Sequence, residues 1–526
     1  MHRVRASALS LAVLVAALPV AAQGAARKAA PKAFCETTVG GRIVSAPCAL
    51  AGAKRATNVK TFEPTLGSDP EGRLFYAKAS ADDGIAIGFA AGVTRSDNGG
   101  RTWREVTPKT GGVAMPPETN DPYVYVDPAT GRVFNFHMAP FLSCSILSYS
   151  DDAGATWTTN PVGCGPTGVW DHQTMVAAKP RGVSTSGYPN VLLQCVNAVY
   201  AVSCSRSLDG GDVWGPSMIV SENQHLVARG GEQTGHLRAA PDGTIYLPSP
   251  EAGDKPVVFV SEDSGGTWRR QVISTVSIPF TDPAVAVDRN GTVYATFVDR
   301  TGRLLYAVSR NKARTWTKPV PVTSPRVTAT KPVLVVGDPG KIAIAFPGTD
   351  DLPKRFATPG YPAEKAQFAD TVRWGGYIAV STNALAKTPR FQTLDATGPK
   401  GLEAGAACVN GGRCTAQVDF IDMVTRPDGT VWAAFVDACP DECPEGSVGA
   451  PLGVVVTLTK GGDLCSSRCS HFGRAGGAAA AAPAMPRLIE RPLPSAPRAP
   501  LSLDPETLAE LRRMYDVSGR KGYRTR

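Results

Sequence analysis

One octet recurs along this chain at intervals that leave few choices of fold. Four copies fit the pattern SxDxGxTW closely: Ser96-Asp97-Asn98-Gly99-Gly100-Arg101-Thr102-Trp103, Ser150 to Trp157 built around Asp152, Ser207 to Trp214 built around Asp209, and Ser261 to Trp268 built around Asp263. A fifth, Ser309 to Trp316 around Asn311, has alanine in place of the glycine, and a sixth at Ser381-Thr382-Asn383 lacks the tryptophan. Each position has a task in a tight hairpin loop. The Asp or Asn accepts hydrogen bonds from backbone amides further on, and Ser and Thr reinforce the turn. Glycine tolerates a positive φ, and the tryptophan buries a large apolar face against the body. These residues are therefore expected to staple the fold and to carry no chemistry.

A second motif alternates with the octets. Short apolar runs flank a turn of the Asp-Gly kind at Asp69 to Tyr76, Asp127 to Phe134, Pro241 to Tyr246, Asp288 to Tyr294 and Pro427 to Trp432, and in each unit this turn precedes the octet. The unit reads as four strands repeating every ~45 to 70 residues, the pattern of a β-propeller blade. Blades are expected to start near Phe62, Asp121, Asp171, His236, Asp282, Lys331 and Asp419. The chain is thus expected to be an all-β propeller of seven blades, the last with a vestigial loop at Thr457 to Gly461. Six blades remain open if the first or last unit is incomplete.

The ends read differently. Met1 to Arg5 is basic, Ala6 to Val20 is apolar, and small residues follow, as in a secretory signal peptide cleaved after Ala22. No later run approaches the roughly 20 apolar residues of a membrane span, so an exported, soluble, monomeric protein is expected. Residues 23–60 form an N-terminal segment and residues 61–470 the propeller. Residues 471–526 are rich in Ala and Pro, with one short helix expected over 504–517, where Asp504 caps and Pro505 starts the first turn. That tail is read as a flexible linker.

Twelve cysteines in an exported chain suggest six disulfides. Close spacing points to Cys35 with Cys48, Cys144 with Cys164, Cys195 with Cys204, and Cys408 with Cys414. Cys439/Cys443 and Cys465/Cys469 read either as two further bridges or as the halves of a zinc site. The formal charge of +9 lies at the termini, and residues 35–470 sum to −1. A body without basic excess argues against nucleic acid as a partner.

The octets resemble the Asp-box, or BNR, repeats of the sialidase superfamily over roughly residues 60–460. That resemblance implies the propeller strongly and an activity weakly, since such repeats also occur in lectin-like and sortilin-type propellers. In sialidases three arginines bind the substrate carboxylate, a Tyr activated by a Glu attacks, and an Asp serves as acid and base. Here the segment at the start of the propeller is Thr61-Phe62-Glu63-Pro64-Thr65, without the usual arginine. Arg42-Ile43-Val44 is the nearest relic, and Tyr361 and Tyr377 are the candidate nucleophiles.

Strands that open each blade line the channel, so polar residues at those positions are the candidate ligand contacts: Glu63, Asp121, Asp171, His172, His236, Arg238, Asp282, Asp419 and Asp422. Such a ring could hold sugar hydroxyls, bind calcium through carboxylates, or supply a carboxyl pair for glycoside hydrolysis. Its members could equally be solvated turn formers, as the prolines after Asp121 and Asp282 suggest. Asp171, His172 and His236 are the favoured cluster. No cofactor is required. The partner expected is an extracellular glycan or protein, bound without catalysis. A glycosidase of sialidase type and a structural envelope protein are the alternatives.

Overall fold

The computed structural model describes residues 34–80, 89–116, 118–119, 121–138, 144–164, 170–198, 201–222, 234–250, 255–279, 281–350, 373–399, 401–404, 420–438 and 452–473. The leader at 1–22, the helix at 504–517, Asp419, Tyr361, Cys408 with Cys414, and Cys439 with Cys443 lie outside them.

Alternation of apolar residues between turn signals produces only strands among the described residues, gathered into antiparallel sheets in chain order. The inner strands are Leu66–Ser68, Val124–Val126, Trp170–Ala178, Arg238–Ala239, Ala284–Val287, Val333–Val336 and Asp422–Thr425. Among the described residues three further strands build outward from each, so that seven four-stranded blades of a β-propeller are seen there. Among the described residues each neighbouring pair of blades shares its own apolar core. Phe75 and Val124 belong to one such core, as do Phe136 and Met175, Leu193 and Leu237, and Val258 and Val285. Tyr306 shares a core with Ile344, Ala345 with Ala433, and Trp432 with Leu66, which brings the seventh blade back to the first.

Closure uses the N-terminal segment. Strand Ala51–Lys60, which precedes the expected start of the propeller at 61, pairs with Leu452–Lys460 as the outer strand of the seventh blade. Strand Cys35–Val39 pairs with Arg390–Asp395 and widens the sixth blade, and Arg42–Ile43 pairs onto it in turn. The relic Arg42 is thus exposed on an outer sheet edge, away from the channel. The Cys35–Cys48 bridge ties these two uses of the segment together. Cys195–Cys204 links adjacent strands of the third blade, where the two residues stand directly opposite in register. Cys144 and Cys164 are likewise opposite in backbone register. Cys465 and Cys469 are bridged to each other, so the zinc reading of that pair is withdrawn.

The octets form one repeated hydrogen-bond set. The hydroxyls of Ser96, Ser150, Ser207, Ser261 and Ser309 accept from the amides of Gly100, Gly154, Gly211, Gly265 and Ala313 at 2.8 to 2.9 Å. They donate to Asn98, Asp152, Asp209, Asp263 and Asn311. Those side chains accept from the amides of Thr102, Thr156, Val213, Thr267 and Thr315. Trp103, Trp157, Trp214, Trp268 and Trp316 are half-buried, each against the core shared with the preceding blade. The octets and the Asp-Gly turns share one rim. Residues 461–473 cross the same rim: Leu464 bonds Gly429, Cys469 bonds Pro427, and Gly473 bonds Pro128.

Candidate functional site

At the opposite rim, the residue that turns each blade into its inner strand is buried. Glu63, Asp121, His172, His236, Asp282, Lys331 and Phe420 come from seven successive blades. Glu63, His172 and Lys331 do so with φ of 44°, 56° and 46°, a conformation that side chains other than glycine rarely adopt and that packing must hold. Among the candidates Glu63, Asp121, His172, His236, Asp282 and Asp422 are therefore interior groups, and a solvated turn does not describe those six.

Two clusters meet on one phenylalanine. His172 and His236 both stand edge-on to Phe420, with ring centroids 4.9 and 5.2 Å away, and Tyr123 stands edge-on to His236 at 5.6 Å. In the first cluster the His172 amide donates to Asp121 Oδ2 at 3.0 Å, and Gln173 Nε2 donates to the Asp121 carbonyl at 2.6 Å. Nδ1 of His172 lies 2.8 Å from the Thr234 carbonyl, to which it can only donate, while Nε2 faces Asp282 Oδ2 at 3.4 Å. Asp171 pairs with Asn197 in the backbone register, and its side chain lies outside the described part.

The second cluster centres on Asp422. Its Oδ1 lies 3.2 Å from His236 Nδ1, accepts from the Met423 amide at 2.8 Å, and is 3.8 Å from Arg238 Nη2. Its Oδ2 accepts from the Leu66 amide at 3.1 Å, which fastens the seventh blade to the first. Burial pushes the Asp422 carboxyl up, but His236, Arg238 and the Leu66 amide outweigh it and hold the group below the usual carboxylate range. Tyr123 moves the other way: burial first and the Asp422 charge second push its phenol up to about 12. Its hydroxyl lies 3.3 Å from Thr174 Oγ1.

Beside the clusters, the described residues leave a depression of about 20 Å³ between Gly235, Asp282, Lys331 and Phe420, room for little more than a water. Beneath them the channel opens into a cavity of about 520 Å³. Tyr123, Val176, Arg238, Leu334 and Asp422 line it, and His471 reaches it from residues 461–473. Arg238 touches both spaces. The sequence pointed to the blade starts but gave no sign of Phe420 or Tyr123, whose role depends on neighbours from other blades.

Sialidase features do not assemble among the described residues. Arg238 is the one arginine at the clustered end of the cavity; Arg289, at the other, bonds Asp338 at 2.8 Å. Tyr377 is not a channel residue: it stacks on Phe346 and touches Phe34 within the sixth blade. No three His, Cys, Asp or Glu side chains stand together to hold a metal among the described residues, and no helix there is long and apolar enough to cross a membrane.

No family model and no curated protein matches this sequence. Solved propellers align at low similarity. A leech intramolecular trans-sialidase shares 13% identity at a TM-score of 0.38, covering 55% of this chain and 65% of its own. An α-L-arabinanase from Penicillium chrysogenum shares 13% at 0.37, covering 66% and 98%. The NanB sialidase from Streptococcus pneumoniae shares 13% at 0.38, covering 80% and 72%. At these values neither family nor activity transfers to this chain.

Proposed function

We propose that this chain is an exported Asp-box propeller that binds an extracellular carbohydrate or protein segment in its central channel without turning it over. The observation that carries this reading is the Arg238–Asp422 pair at the inner end of a cavity of about 520 Å³, within the size range of small-ligand sites. Mostly apolar strand residues with a few fixed polar groups make a surface suited to a sugar face or a side chain. Against catalysis, Asp422 and Asp121 accept bonds from backbone amides and brace strand starts. A phenol pushed up to about 12 is also a poor nucleophile near neutral pH. Disulfides support export.

Glycoside hydrolysis is the second reading, because Asp422 and Tyr123 line the same cavity. A glycan array run beside hydrolysis assays on sialylated and plant-type substrates separates the two. Binding weakened by Arg238→Met, with no turnover by the unaltered chain, is the expected result. Turnover abolished by Asp422→Asn would establish the enzyme instead.

A further inference from the structure

Three arginines do converge on this propeller, at the octet rim where the ring closes. Arg55 comes from strand Ala51–Lys60, Arg426 from the turn after the seventh inner strand, and Arg101 from the first octet loop. Trp432 is their floor: the guanidinium carbons of Arg55 and Arg426 lie 5.4 and 6.0 Å from its ring centroid. With Asp97, Asn98 and Gly99 these residues line a cavity of about 300 Å³.

Packing accounts for two of the three. Arg55 Nη1 donates to the Gly99 carbonyl. Arg426 Nε donates to the Gly72 carbonyl at 2.8 Å, and its Nη1 lies 3.4 Å from Asp428 Oδ2. Arg101 is exposed and has no ion pair among the described residues. Asp97, the one acid in the wall, is engaged by Arg95 at 2.8 Å and Arg104 at 3.5 Å. Burial, then the charges of Arg101 and Arg426, hold the Arg55 guanidinium below its ordinary value, as expected where positive charge is left uncompensated.

We propose that this pocket binds an oxyanion, a sulfate ester or a carboxylate, carried on an acidic polysaccharide. Planar guanidinium forks match such groups, and the half-buried Arg55 and Arg426 beside the exposed Arg101 hold two of the forks in place. A polysaccharide fits better than a nucleic acid. Residues 35–470 carry a net charge of −1, without the basic excess that a polyphosphate backbone calls for, whereas one pocket can take one anionic group of a spaced series.

The test is titration of the full chain with dextran sulfate, neutral dextran, inorganic sulfate and a single-stranded oligonucleotide. Dextran sulfate is expected to bind, neutral dextran not to, and Arg101→Ser to weaken binding about tenfold, the loss of one charge-assisted contact. Arg55→Lys keeps the charge but loses the fork, and is expected to weaken binding as well. Lys318→Gln, an exposed cation on another blade, is expected to change nothing. Undiminished binding by Arg101→Ser or equal weakening by Lys318→Gln would overturn the proposal. So would tighter binding of the oligonucleotide, or binding of inorganic sulfate without the polysaccharide.

Discussion

His236 and Asp422, 186 positions apart in sequence, meet with Nδ1 and Oδ1 3.2 Å apart and join the start of the fourth blade to the inner strand of the seventh. Both are buried, and the contact bridges the ring instead of linking neighbours. It sets the floor of the channel cavity and gives the propeller a brace at its centre.

Asp422→Asn removes the charge that His236 and Arg238 face and is expected to cost about 3 kcal/mol at pH 7, as for breaking other buried pairs. Because the folded carboxyl is held low, its contribution is complete above the unfolded value near ~4 and is lost as pH falls through the lower folded value. Urea midpoints at pH 7 and pH 3 measure this. The gap between variant and parent should narrow in acid, and a constant gap would show that the charge is not responsible.

His137 is fully buried, its Nε2 2.5 Å from Asn135 Oδ1, and burial lowers its pKa to about 3. In the unfolded chain it titrates near ~6.5, so stability is complete above that value and falls as the pH drops toward the folded value. His137→Gln should flatten the dependence between pH 6 and pH 4 by about one proton, ~1.4 kcal/mol per pH unit. Denaturant titrations across that range are the measurement, and an unchanged slope would assign the acid sensitivity elsewhere.

Asp263 accepts from the amide and hydroxyl of Thr267 and from Ser261. Asp263→Ala is expected to cost about 1–2 kcal/mol, the range seen for lost side-chain caps, with ligand binding unaltered. Thermal unfolding paired with calorimetric binding tests both halves.

Gly265 has φ of 82°, and a Cβ there would stand 2.5 Å from Leu193 Cδ2. Gly265→Ala should therefore cost about 2–3 kcal/mol through strain and overpacking. Ala313, at the same place in the fifth octet, already carries a Cβ at φ of 61° and is fully buried. Relief of its strain and the greater freedom of an unfolded glycine offset each other, so Ala313→Gly should stay within about 0.5 kcal/mol. Equal effects at the two sites would contradict this account.

The Cys35–Cys48 bridge precedes the strand that closes the ring. Replacing both cysteines by serine is expected to lower stability by about 2–4 kcal/mol. Deleting residues 34–60, which removes the outer strand of the seventh blade, should abolish cooperative unfolding. A deletion variant that still melted in one sharp transition would show that six complete blades suffice.

The five octets that keep the tryptophan were legible because the bonds of their Ser and Asp or Asn to the loop backbone span at most four residues, so Ser261, Asp263 and Gly265 specify their loop unaided. The blade starts were legible as positions, since Pro follows Glu63, Asp121, Asp282 and Lys331 where the chain turns inward. Their environment was not. That Phe420 lies against both His172 and His236, that Asp422 holds Leu66 from the first blade, and that the channel cavity lies beneath the ring all depend on how the blades close. The same is true of Ala51–Lys60, which completes a blade whose other strands lie at the far end of the chain, and of Arg55, Arg101 and Arg426, which share one pocket. Local hydrogen bonding and strand period are written residue by residue. The channel and the closing seam exist only once all seven shared cores have fixed the radius of the ring, and no single repeat encodes that.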